Sequence, residues 1–150
     1  MKSLNLSAKF YYLFFKVQDD KKYMFQFIYL INNFAVRFTF KYPLAEIKFS
    51  KSTSFIIDIP ITAKNNTWSI LKFDPIEFIQ TNFSKQFSNL GNLTTENIVL
   101  KSLQFSSHMF IRGLYLSNSI YSIKVLFYFT YMFIFSYSTD STKRNECASS

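Results

Sequence analysis

At 150 residues the chain fits one ordinary domain, and its 49% hydrophobic and 21% aromatic content (20 Phe, 10 Tyr) supplies enough apolar material to exclude disorder over most of its length. Seventeen Lys and Arg against nine Asp and Glu leave a net charge of +8, which favours anionic partners such as acidic protein polymers, nucleic acid or anionic lipid. A single cysteine, Cys147 in a polar tail, excludes a disulfide framework and a thiolate zinc site.

Short aromatic and β-branched runs separated by polar breaks predict strands over 8–16, 23–31, 34–40, 45–49, 54–59, 67–73, 97–106 and 109–116. The second and third flank Asn32-Asn33, which reads as a tight hairpin turn. With only two glycines in the chain, Asn takes over turn positions here and at Asn65-Asn66, because it tolerates positive φ. In the fifth strand, Phe55, Ile57 and Ile59 alternate with Ser54, Ile56 and Asp58, the period of a half-buried strand. Trp68, near the start of the sixth strand, reads as a core anchor.

One helix follows, over about 75–88. Asp74 as N-cap, Pro75 at the first helical position and Glu77 at the third mark its start. Ile76, Ile79, Phe83 and Phe87 then recur on one face, until Gly91 ends the pattern. The expected fold is mainly β, an antiparallel sandwich crossed by this one amphipathic helix. In the last strand, HMFIRGLYLS places Arg112 and Gly113 inside an apolar run. Glycine there would permit a bulge or a close strand approach, and Arg112 would emerge opposite it to hold backbone carbonyls or a carboxylate.

Val125–Tyr137 is 13 residues long without a charge, short of the roughly 20 needed to cross a bilayer. It reads as a further buried strand, an anchor, or translated non-coding sequence. The organisation expected is a sandwich domain over 3–122 and a hydrophobic segment with a polar tail over 123–150.

Catalytic chemistry finds no foothold in the pattern. His108, the sole histidine, has no ligand spacing around it and reads as structural. The carboxylates are scattered, with Asp19-Asp20 in a lysine-rich turn, and neither a Gly-rich phosphate loop nor a G-x-S-x-G elbow occurs. No enzyme activity, cofactor or metal is expected. Basic residues beside aromatics, as in Lys9-Phe10-Tyr11-Tyr12 and Lys21-Lys22-Tyr23, keep open a small binding module for nucleic acid or carbohydrate.

LKSLQFSSHMFIRGLYLSNSIYS (Leu100–Ser122) resembles the closing motif of the cilia- and flagella-associated protein 20 domain family. Three further pieces agree with that family in order: Ser3–Leu30, FAVRFTF at Phe34–Phe40, and IPITAKNNTWSILKFDPIEFI at Ile59–Ile79. The likeness is closest to the form of the domain that precedes a WD-repeat propeller in centriolar and basal-body proteins. Ala8 stands where the family commonly has Gly, and Lys41-Tyr42-Pro43 replaces its usual loop sequence. The family's domain usually opens with earlier strands, so N-terminal strands are expected to be missing here.

The resemblance implies a β-sandwich with an accessory helix and a structural role in the axoneme, centriole or basal body. It further implies binding to the microtubule wall near the inner junction of a doublet or triplet. Tubulin and other axonemal or centriolar proteins would be the partners, with neither nucleic acid nor membrane expected. Lysines near turns, Lys21, Lys22, Lys48, Lys51 and Lys64, are the candidates for contact with tubulin, while Trp68, Asp74, Arg112 and Gly113 form the structural motif.

Overall fold

The computed structural model describes residues 3–18, 22–106 and 109–119. Among the described residues eight strands are formed: β1 (Phe10–Val17), β2 (Tyr23–Ile31), β3 (Phe34–Tyr42), β4 (Lys48–Lys51), β5 (Phe55–Pro60), β6 (Trp68–Phe73), β7 (Ile98–Phe105) and β8 (Met109–Ser117). One α-helix, α1 (Pro75–Asn82), lies between β6 and β7, followed by 3-10 turns at Ser88–Leu90 and Thr95–Asn97. The strands form two sheets, ordered β6-β1-β8 and β4-β5-β3-β2-β7.

The β2–β3 hairpin closes on a two-residue turn in which Asn32 and Asn33 have φ of 49° and 69°. Positive φ at both central residues matches the right-handed twist of the strands, and Asn is the non-glycine residue that adopts it most readily. Every strand pair is antiparallel except β3 with β5, which run parallel from Val36↔Phe55 to Lys41↔Pro60. The chain leaves β3, skips one position to lay β4 at the sheet edge, and turns back to insert β5 beside β3. A wholly antiparallel reading misses this insertion, because side-chain alternation is the same in both pairings.

Between the sheets lies a core made largely of rings. Tyr11, Leu13, Phe15 and Val17 point inward from β1 and meet Phe25, Phe27, Tyr29 and Ile31 of β2, all at most 2% exposed. Phe73 of β6 inserts among Phe27, Phe38 and Phe40, at centroid distances of 5.8, 4.9 and 5.1 Å, mostly edge to face as ring quadrupoles favour.

The five-stranded sheet outreaches its three-stranded partner on the β4–β5 side, and α1 with its following turn fills the gap. Ile79, Phe83 and Phe87 are buried there, Phe83 stacking on Phe49 at 5.1 Å and Phe87 lying 4.4 Å from Phe55. The helix begins where expected, with the Glu77 amide donating to Asp74 Oδ1 at 3.1 Å. It ends at Asn82, six residues short of the expected 88. The apolar spacing continues past that end because the Phe83 amide still donates to the Ile79 carbonyl and the Phe87 amide to the Phe83 carbonyl.

Candidate interaction surfaces

Two surfaces carry cations. The first surrounds the five-stranded sheet. Lys22 is exposed just before β2, Lys48 and Lys51 are exposed on the edge strand β4, and Lys64 is exposed in the β5–β6 connection. The Ala63 amide donates to the Tyr23 hydroxyl at 2.9 Å, which brings the Lys64 loop to the end of the sandwich where Lys22 lies. At that end Lys22 and Lys41 line a groove of about 390 Å³ walled by Tyr23 and Tyr42, whose rings stack at 5.1 Å.

Lys48 sits opposite Asp58 in register, and Asp58 is already paired with Lys41 at 3.1 Å. Lys51, three residues further on, leans over the Phe55 ring at 5.3 Å, so alternation separates it from Lys48. Lys48 and Lys51 therefore fall on two faces of the edge strand while Lys22 and Lys64 lie at the end of the sandwich, so the described candidates do not converge to a point. Lys21 lies outside the described residues, as does His108.

The second surface is the outer side of the three-stranded sheet. Strand β1 is buried on both sides: its inward residues enter the main core, while Phe10, Tyr12 and Phe14 form a second apolar cluster with Ile70 and Tyr115. Below that cluster, one cross-strand row runs Trp68–Lys16–Phe110. The Lys16 ammonium sits 5.2 Å from the Trp68 ring and 5.4 Å from the Phe110 ring. Lys72 and Lys9 stand over Phe10 at the opposite end, where Lys9 also approaches Asp74 at 3.9 Å.

Trp68 is thus no core anchor. It lies five residues before the inward-facing Phe73, and an odd offset in a strand turns a side chain to the opposite face.

Gly113 and Arg112 explain each other. The β1–β8 register pairs Phe14 with Gly113 and Phe15 with Ile111, so Arg112 is the extra residue of a bulge. A bulged residue is released from strict alternation, and Arg112 reaches across β1 to place its guanidinium carbon 4.1 Å from the centre of the Trp68 ring. The sequence pattern predicts a carbonyl or carboxylate as its partner. Among the described residues it makes no hydrogen bond or ion pair, and the indole takes that place. Burial lowers the guanidinium's pKa from its ordinary value, opposed by the neighbouring Tyr115. Gly113 leaves room for Tyr115, since a Cβ at position 113 would stand 3.1 Å from its ring.

A match to the CFA20 domain extends over residues 1–128 of the 150. The chain belongs to this family. Among curated proteins there is no significant match. Membership carries a cilia-associated role for the protein. Within this CFA20 domain, the run Leu100–Ser122 supplies most of β7 and all of β8 with its bulge, and Ile59–Ile79 supplies β6 and the capped start of α1. Among the described residues no helix is long and apolar enough to cross a membrane, and Val125–Tyr137 lies outside them.

Sequence reasoning passed over Lys16, Lys41, Lys72 and Phe110. Lys16 carried a usable signal: Phe10, Tyr12, Phe14 and Lys16 share one parity of β1, and a lysine closing an apolar column marks the column that meets solvent.

Proposed function

We propose that this CFA20 domain is a non-catalytic structural element of the axoneme or centriole that binds the microtubule wall at the inner junction where two tubules meet. The reading rests chiefly on one observation. A chain with a net charge of +8 displays exposed lysines on the edge strand and at the adjoining end of its larger sheet, a surface suited to tubulin's acidic exterior. Asp58 pairs with Lys41 and Asp74 caps α1, which gives both carboxylates a structural role in this reading.

Co-sedimentation with taxol-stabilised microtubules tests the reading. Binding should weaken as salt rises, should weaken again after tubulin's acidic tails are cleaved, and should fall several-fold in a Lys48→Gln, Lys51→Gln double variant. Tight binding to single-stranded nucleic acid or to carbohydrate, with no sedimentation on microtubules, would replace it with a general binding module.

A further inference from the structure

The outer side of the three-stranded sheet carries an arrangement that the lysine surface does not explain. Two cations, Lys16 and Arg112, share one indole, although like charges brought together repel and no carboxylate among the described residues is paired with either. The guanidinium carbon lies over the Trp68 ring, 4.1 Å from its centre, and among the described residues no hydrogen bond or ion pair claims its N–H groups. Phe110, 42% exposed, and Trp68, half-buried, supply apolar contact on either side of Lys16.

We propose that this face docks an acidic polypeptide segment, with Arg112 as the anchor that receives a carboxylate bidentately and Lys16 as its second cation. An arginine already held against an indole loses less rotamer freedom on binding, which favours a bidentate grip on a planar carboxylate. A nucleic-acid strand would need a platform for its bases, and the guanidinium already lies over the Trp68 ring, which leaves Phe110 as the exposed ring of this face. The acidic-protein identity of the partner rests on the microtubule-binding reading above. The site itself is separate from β4 and its lysines.

Trp68 is the only tryptophan in the chain, so its fluorescence reports this face alone. The full chain is titrated with a synthetic peptide of eight glutamates and, separately, with an oligothymidine of matching length. The peptide should shift the Trp68 emission saturably. Arg112→Gln should weaken that binding about tenfold, the loss expected for a charge-assisted bidentate contact. Arg112→Lys should recover only part of it, and Lys48→Gln with Lys51→Gln should leave it within about twofold.

Should Arg112→Gln not fold, Arg112→Lys and Lys16→Gln decide: wild-type affinity in both overturns the proposal. So does an emission that the peptide leaves unchanged, or tighter binding of the oligonucleotide. Loss of microtubule sedimentation in the β4 variants with unchanged binding in Arg112 variants would sink this inference and leave the preceding reading standing.

Discussion

Arg112 of β8 and Trp68 of β6 meet across an intervening strand, the guanidinium carbon 4.1 Å from the ring centre. Strict alternation would put Arg112 and Gly113 on opposite faces, and the bulge lets Arg112 share the outer side with Gly113, the partner of the outward Phe14. The pair links the two edges of the smaller sheet. Trp68→Ala should therefore cost about 2 kcal/mol, combining a partly desolvated cation–π contact with lost packing of the arginine stem. Trp68→Phe should cost less than half of that. A double-mutant cycle with Arg112→Ala, followed by urea denaturation, should give a coupling of about 1 kcal/mol. A coupling indistinguishable from zero would mean that the contact contributes nothing.

Gly113 is required by its neighbour rather than by its own backbone. An added Cβ would stand 3.1 to 3.3 Å from three atoms of the Tyr115 ring and hydroxyl, and Tyr115 is in turn held edge-on against Phe14 at 5.3 Å. Gly113→Ala should therefore destabilise by about 1 kcal/mol, despite the entropy that alanine removes from the unfolded chain. In a Tyr115→Ala background the same substitution should be neutral or stabilising. Equal costs in both backgrounds would place the strain elsewhere.

How much of this was legible beforehand depended on whether a signal was local. The Asn32-Asn33 turn, the Asp74-Pro75-Glu77 helix start and the alternation of Phe55, Ile57 and Ile59 are each written within a few residues, and each has its expected form. The insertion of β5 between β3 and β4 is a long-range choice that leaves no mark on the period of any one strand. The outward turn of Trp68 was hidden for a related reason. With aromatic residues on both sides of β1, composition could not say which column was core, and Trp68 takes its side from register with Lys16. Lys41 was missed because its groove is assembled from the start of β2, the end of β3 and the residues beyond it.

The Asp74 cap should be worth measuring directly, since α1 has only eight residues and must seal the open flank of the core. Asp74→Ala removes the acceptor for the Glu77 amide and should cost about 1 kcal/mol by chemical denaturation. Asp74→Asn keeps an acceptor and should cost only a few tenths, because the 3.9 Å contact with the largely exposed Lys9 adds little. Comparable losses in the two variants would assign the effect to charge instead of capping.

Tyr29 is fully buried with its hydroxyl near that of Tyr11, and it makes no hydrogen bond of good geometry among the described residues. Burial pushes its pKa well above the ordinary tyrosine value, with repulsion from Tyr11 adding to the effect, and burial raises Tyr11 and Tyr23 as well. A folded-state pKa above the unfolded one means that the native chain keeps protons the unfolded chain releases. Stability from these residues is thus intact below about pH 10 and falls as pH rises beyond it. Each such tyrosine should steepen the fall by up to about 1.4 kcal/mol per pH unit. Tyr29→Phe removes both the titration and an unsatisfied hydroxyl. The variant should be at least as stable as the parent at pH 7 and should lose stability less steeply between about pH 10 and 11.5, as followed by urea melts at stepped pH. Parallel curves for parent and variant would show that Tyr29 does not govern alkaline unfolding.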